Sequence, residues 1–304
     1  MIPAPPAALT TSRSDIVFGT VVSITTVTLD REAASAAIDR AFAWCHEVEA
    51  HCSRFDADSE LMQLTRHVGV AVPVSDLLFE VVQFALALAH ETGGAFDPTV
   101  GRAMEARGFN REHRSGALVR SGVDAPGDVN YRDVDVSAAD RTITLQRPLV
   151  LDLGAVAKGF AIDMAARELQ PCRDLAIDAG GDLYLGGRNT SGEPWTVGIR
   201  HPRVDGQLID VLRVSDRAVC TSGDYERRTD EGHHILDPRT GAAASAAASV
   251  TVVAPTAMLA DAVATAAFVL GPIEGIALCE RLQLQALVVT PNLERHETRG
   301  LRDA

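Results

Sequence analysis

The sequence predicts an α+β fold of mixed, mostly antiparallel sheets with packed helices, and three observations lead there. Apolar residues recur every three or four positions over 31–52 and again over 75–91, the period of a helix with one buried face. Short runs rich in Val, Ile and Thr recur through the second half, several separated only by turn residues, which favours antiparallel neighbours. Across all 304 residues there is neither a repeat at a solenoid period nor a clean interdomain linker, so one domain is expected.

Taken in order, residues 1–14 are rich in Pro, Ala, Ser and Thr and predict a flexible N-terminal arm, leaving 15–304 as the domain. Residues 15–29 read as strand, with Gly19 a bend or bulge. Ile38, Phe42, Cys45, Val48 and Cys52 form the apolar stripe of the first helix. Ser75 is placed to cap a second, with Leu78, Val81, Val82, Ala85 and Leu88 on its buried side. Residues 108–131 are polar and glycine-bearing, an excursion at the surface. Strands are expected at 142–145, 149–151, 174–185, 195–200, 211–214, 218–220, 249–253 and 284–290. Helices are expected at 158–169, 258–270 and 273–281.

Composition narrows the function. The chain carries 28 basic and 41 acidic residues, a net charge of −13, and 46% of it is hydrophobic. That is a globular composition, and its sign argues against a nucleic-acid or anionic-membrane binder, which needs a basic surface. The five cysteines form no C-x-x-C pair and read as scattered core thiols. No run of about 18 uncharged apolar residues suggests a membrane span, and the Met1-Ile-Pro-Ala-Pro-Pro start has no leader pattern. The expected setting is cytoplasmic.

Five segments depart from ordinary core or loop grammar. Thr92-Gly-Gly-Ala-Phe-Asp-Pro-Thr-Val-Gly101 pairs two glycines with an Asp-Pro turn, a backbone that can approach a ligand closely; alone, such a stretch is more often simply a helix C-cap and turn. Leu151-Asp-Leu-Gly-Ala-Val-Ala-Lys-Gly159 runs from strand through small residues into a helix expected to start near Lys158, where free N–H groups and a lysine could meet an anion. The alternative there is a solvated lysine, with Asp163 on the exposed helix face. Asp178-Ala-Gly-Gly-Asp182 suggests a bulge or a backbone pressed against a flat ligand. Cys220-Thr-Ser-Gly-Asp-Tyr-Glu226 and His233-His-Ile-Leu-Asp-Pro-Arg-Thr-Gly241 bring hydroxyls, acids and a histidine pair close in sequence. His234 could take a proton near neutral pH or could simply be bonded within its turn. Asp261 and Thr265 lie four apart on an apolar helix and therefore share a face. A carboxylate there needs a partner: a hard cation such as Mg²⁺, an arginine, or a segment it caps. G-x-x-x-x-G-K-[ST], H-E-x-x-H and G-x-S-x-G are all absent.

In this order the segments resemble the ApbE-like flavin transferases, the FAD:protein FMN transferases. The resemblance begins at Phe18-Gly19-Thr20 and Ser53-Arg-Phe-Asp-Ala-Asp-Ser-Glu60, passes through the five segments, and covers about residues 16–271. It implies a Mg²⁺-dependent enzyme that splits the pyrophosphate of FAD, moves FMN onto a Thr or Ser hydroxyl of an acceptor flavoprotein or flavinylated subunit, and releases AMP. It further implies that Asp261 and Thr265 bind the metal through side chains and Ala155 through its carbonyl. FAD would meet Phe18, Phe55, Ala95, Phe96, Asp97, Asp152, Lys158 and Leu236, and His234 would activate the acceptor hydroxyl. A Mg²⁺-dependent FAD pyrophosphatase and a non-catalytic flavin-binding module remain alternatives.

Overall fold

The structure, a computed structural model, describes residues 9–113, 115–124, 128–230 and 232–301. In chain order it contains strands β1 (Leu9–Val17) and β2 (Thr20–Thr28), helices α1 (Arg31–Cys52) and α2 (Glu60–Leu64), β3 (Val72–Pro73), α3 (Asp76–Glu91) and α4 (Gly101–Ala106). After the polar excursion come β4 (Val134–Ser137), β5 (Thr142–Leu145), α5 (Gly154–Glu168), β6 (Asp174–Ala179), β7 (Asp182–Gly186), β8 (Trp195–Arg200), β9 (Leu208–Val214) and β10 (Arg217–Gly223). The chain finishes with β11 (Arg228–Thr229), β12 (Gly232–His233), β13 (Ser249–Ala254), α6 (Ala257–Arg281), β14 (Gln285–Val289) and β15 (Arg295–Glu297).

The main sheet has eight strands in the order β1-β2-β6-β7-β10-β13-β14-β15, and every neighbouring pair is antiparallel. β13 is buried along its whole length, which is why its sequence is nearly continuous in apolar residues. Alternation along the strands feeds two layers. Val250, Val252 and Ala254 join the large core made with α1, α5 and α6, while Val253 and Val219 turn to the other face. That face is covered by the β8–β9 ribbon through Val197, Ile199, Leu212 and Val214. A small sheet, β3-β5-β4, stands beside α3.

Helices α5 and α6 approach closely because Gly159 has no side chain: a Cβ there would stand 2.6 Å from the backbone of Ala257 and Met258. Asp163, one turn further on, is not on the exposed face that the alternative reading of this segment gives it. Its carboxylate accepts the N–H groups of Ala257 at 2.7 Å and Met258 at 3.0 Å, closing the N-terminus of α6. By length and composition α6 is apolar enough to cross a membrane. Its first half is nonetheless buried in the core, and the helix breaks at Gly271 (φ 80°, ψ −175°) before Pro272, matching the two helices expected there.

Four local readings change. The first strand starts at Leu9, so residues 9–14 of the expected arm are an edge strand paired with β2, and the rest of the arm lies outside the described residues. Residues 149–151 are not a strand, because their backbone bonds to the loop after α3 instead: Gly101 N–H donates to Val150 O and Asp152 N–H to Pro98 O. The glycine pair Gly180-Gly181 is the two-residue turn of the β6–β7 hairpin rather than a bulge, both residues having positive φ as the twist of such hairpins requires. Finally, α5 begins at Gly154, so Lys158 lies a full turn inside it rather than at its start.

Gly159→Ala adds a favourable helix residue but forces α5 and α6 apart. The overpacking outweighs the propensity gain, and the variant is expected to lose about 1–3 kcal/mol in thermal or urea unfolding. An unchanged midpoint would mean that the two helices separate without cost.

Candidate active site

Where α5 crosses α6, polar groups converge in a predominantly apolar core. The helices run in opposite directions, since Asp163 meets the start of α6 while Lys158 meets Asp261 one turn along it. Lys158 Nζ donates to Asp261 Oδ2 at 2.9 Å and also pairs with Asp182, at the start of β7. All three side chains are largely buried. Asp182 is held from its other side by the N–H of Thr221 on β10, at 3.3 Å. Asp261, among the described residues, makes no other side-chain hydrogen bond. Thr265 lies one turn on, its hydroxyl 3.2 Å from both the Asp261 carbonyl and the Ser222 hydroxyl. The antiparallel crossing places Ala155, one turn before Gly159, towards the Asp261–Thr265 end.

Carboxylate, hydroxyl and carbonyl oxygens are hard donors that suit Mg²⁺. Among the described residues no group of three or more His, Cys, Asp or Glu side chains is arranged to hold a metal. A cation at Asp261 would therefore complete its shell with Thr265, a backbone oxygen, water or ligand oxygens, which is the ordinary habit of Mg²⁺.

A second group forms between the end of α1 and the segment entering α5. Arg54 is buried, donates from Nε to Asp152 Oδ2 at 2.5 Å and from Nη2 to the Phe109 carbonyl, and lies over the Phe55 ring at 4.2 Å. Asp152 Oδ1 also accepts the Gly154 N–H at 2.9 Å, tying the entry of α5 to this group. Burial pushes the Asp152 carboxyl up, but the Arg54 charge and these hydrogen bonds more than offset it and hold the group below its usual range. Phe55 thereby offers a fixed aromatic face with a guanidinium against it.

The histidine pair divides its labour. His233 Nε2 bonds the Ala244 carbonyl at 2.7 Å and the ring packs edge-on against Phe268, so it is part of the frame. His234 Nδ1 is buried with no hydrogen-bond partner, and the ring stands edge-on to Phe109. Desolvation first, and then the Arg227 charge, push its pKa down to about 4, so the imidazole is neutral at pH 7.

The other expected residues lie in different settings. Phe18 occupies the two-residue turn between β1 and β2 at φ 56°, with its N–H bonded to Glu49 Oε1 at 2.6 Å. The side chains of Ala95 and Phe96 belong to the main core. Asp97 is committed within its own loop: Oδ1 takes the Thr99 N–H and hydroxyl, and Oδ2 takes the Tyr131 N–H. Leu236 is buried beside a bridge to Ala243. The five cysteines are buried and unpaired, as expected of core thiols. Sequence reasoning missed Asp182 and Arg54 as individuals. Both lie inside segments it singled out, but their partners are distant in the chain and no local pattern predicts the pairing.

Fold and site together define an α+β domain with a buried Lys158–Asp182–Asp261 cluster at a helix crossing and an uncharged imidazole at His234. The sequence profile of the ApbE family matches residues 18–288, and the chain belongs to that family. It is 32% identical to the FAD:protein FMN transferase of Vibrio cholerae, over 80% of this chain and 76% of that one. It is also 32% identical to the Treponema pallidum protein of the same name, over 96% and 88%. The ApbE protein of Thermotoga maritima superposes with a TM-score of 0.85 at 29% identity, over 96% of this chain and 97% of that one. The flavin transferase ApbE from Vibrio cholerae gives 0.83 at 29% identity, over 97% and 99%.

The imidazole of His234 leaves a measurable trace. Between about pH 4 and its ordinary pKa of 6.5 the unfolded chain binds a proton there that the folded protein does not. Its contribution to stability is therefore complete above 6.5 and lost as the pH falls towards 4. An NMR titration should show this resonance unmoved at pH 6, whereas a midpoint near 6.5 would remove the desolvated environment.

Proposed function

We propose that this protein is an FAD:protein FMN transferase. It cleaves the FAD pyrophosphate, joins FMN through a phosphoester to a Thr or Ser hydroxyl in the target motif of an acceptor protein, and releases AMP. The observation that carries the reading is the Asp261–Thr265 pair beside Lys158 at the α5–α6 crossing, with a neutral His234 whose Nδ1 has no hydrogen-bond partner as the available base. Membership of a family whose relatives bear that name supports it.

In this reading Asp261, Thr265 and the Ala155 carbonyl hold Mg²⁺, which when bound neutralises charge on the pyrophosphate oxygens. The Phe55 face, stiffened by Arg54, and the backbone of residues 95–97 position the rings, and Asp97 keeps that loop in shape. Lys158 supplies a second positive charge near the phosphates. The acceptor oxygen forms a bond to the FMN phosphorus as the bond to the bridging oxygen breaks. The hydroxyl proton goes to His234, and AMP departs with the bridging oxygen. Desolvation that keeps the imidazole neutral leaves its lone pair available, and anionic FAD nearby raises its basicity when the complex forms.

The test is incubation with FAD, Mg²⁺ and a Thr-bearing acceptor, following AMP and flavin on the acceptor by mass spectrometry. Stoichiometric AMP and covalent FMN are expected. AMP with no modified acceptor would make the protein a pyrophosphatase, and FAD binding without AMP would make it a flavin carrier. Asp261→Ala should abolish AMP release with the fold intact, and His234→Ala should slow transfer by roughly 10²–10⁴. Because kcat/KM for FAD reports the free enzyme, its acid limb should fall below pH 6.5, towards about 4. A limb at 6.5 or above would assign the essential base elsewhere.

A further inference from the structure

The geometry points to Asp182 as a positioning residue: it is the anchor that holds Lys158 when a divalent cation displaces the lysine from Asp261. This rests on the metal reading above and adds to it an internal competitor and the residue that manages it.

Two features of the triad make the argument. The first is asymmetry. Lys158 bridges Asp182 and Asp261, but only Asp182 is fixed from a second direction, by the Thr221 N–H between two paired strands. Asp261 has Lys158 as its sole side-chain partner among the described residues, and its second carboxylate oxygen is not engaged. A cation arriving beside Thr265 would meet a carboxylate that it must share with an ammonium group. Of the two contacts that Lys158 makes, the one to Asp261 is free to break.

The second is charge. One lysine between two carboxylates leaves the group one negative charge in excess, so a dication is attracted and turns the total to plus one. Without Asp182 the pair Lys158–Asp261 would already be neutral. A cation could then enter only by leaving a buried ammonium unpaired, which is strongly unfavourable. With Asp182 present, the lysine keeps a buried partner, remains charged, and stays where it can face ligand phosphates. Glu226 is the other acid that senses this place. Its carboxyl is raised first by desolvation, with Lys158 and Arg227 opposing and Asp261 adding to the rise. Among the described residues, however, its carboxylate makes no hydrogen bond or short ion pair, so it lacks the fixed geometry that Asp182 takes from Thr221 and Lys158.

The test is direct binding of Mn²⁺, a spectroscopic substitute for Mg²⁺, to the FAD-free protein, followed by electron paramagnetic resonance at constant pH. Lys158→Met removes the competitor and should tighten Mn²⁺ binding by about tenfold or more. Asp182→Asn leaves the lysine with Asp261 alone and should weaken binding by a similar factor. A simple field effect would give the same signs, so the double variant decides. If Asp182 acts through Lys158, the double variant binds nearly as tightly as Lys158→Met. If the loss caused by Asp182→Asn is equally large with and without Lys158, the anchoring role is overturned. The double variant also carries no unpaired buried charge at positions 158 and 182, which guards against misfolding of either single variant. Asp261→Asn identifies the site. Absence of Asp261-dependent binding in every variant would overturn the metal reading and this proposal with it. Asp261-dependent binding that is indifferent to Lys158 would overturn this proposal alone.

Discussion

The close crossing of α5 and α6 is the constraint on which the rest of the structure depends. Gly159 lets the helix backbones touch, and Asp163 fixes where α6 begins by taking its first two N–H groups. With the start of α6 fixed, one turn along it sets Asp261 opposite Lys158, and a second turn sets Thr265 beside Ser222 of β10. The polar well is thus a product of helix register. A side chain at 159 would disturb chemistry a full turn away without touching any reacting group.

The sheet supplies the second half of the well for equally local reasons. β7 and β10 are antiparallel neighbours, so the start of one strand lies alongside the body of the other. Asp182 can therefore accept from the Thr221 N–H while reaching the lysine. Burying two carboxylates and one ammonium costs desolvation energy that apolar residues would avoid, and such groups seldom stabilise a fold. Their presence in a core otherwise made of Val, Ala, Leu and Phe is intelligible as function.

Much of this was legible in the sequence, and what escaped has a common cause. The periodic stripe of α1, the Ser75 cap of α3 and the break at Gly271-Pro272 are set by neighbours within a few residues, and each is where local rules put it. Asp261 and Thr265 could be singled out because a helix guarantees that residues four apart share a face. The start of α5 was misplaced by four residues because Gly154 and Ala155 are small and carry no side-chain cap, so nothing local marks the boundary. No local pattern marks Asp163 as buried, because its partners, Ala257 and Met258, lie more than ninety residues away. Separation in the chain, 98 residues for Arg54–Asp152 and 24 for Lys158–Asp182, hid those pairs as well. Charge pairing across a fold leaves no periodicity to read.

The acidity of the chain and the anionic nature of its proposed ligand are reconciled within this small region. A net charge of −13 spread over the surface opposes broad polyanion binding. A buried lysine answers mainly to its nearest charges, because close charges in a poorly polarisable interior dominate distant, solvent-screened ones. Arg54 is spent on Asp152, and Lys158 is shared between two acids, so neither cation is left as a free anion trap. On the proposed reading, a dication joining the well supplies the positive charge that then faces the pyrophosphate. On this account the metal is what converts a mildly acidic pocket into one that accepts phosphate, and nucleotide binding without it should be weak by construction.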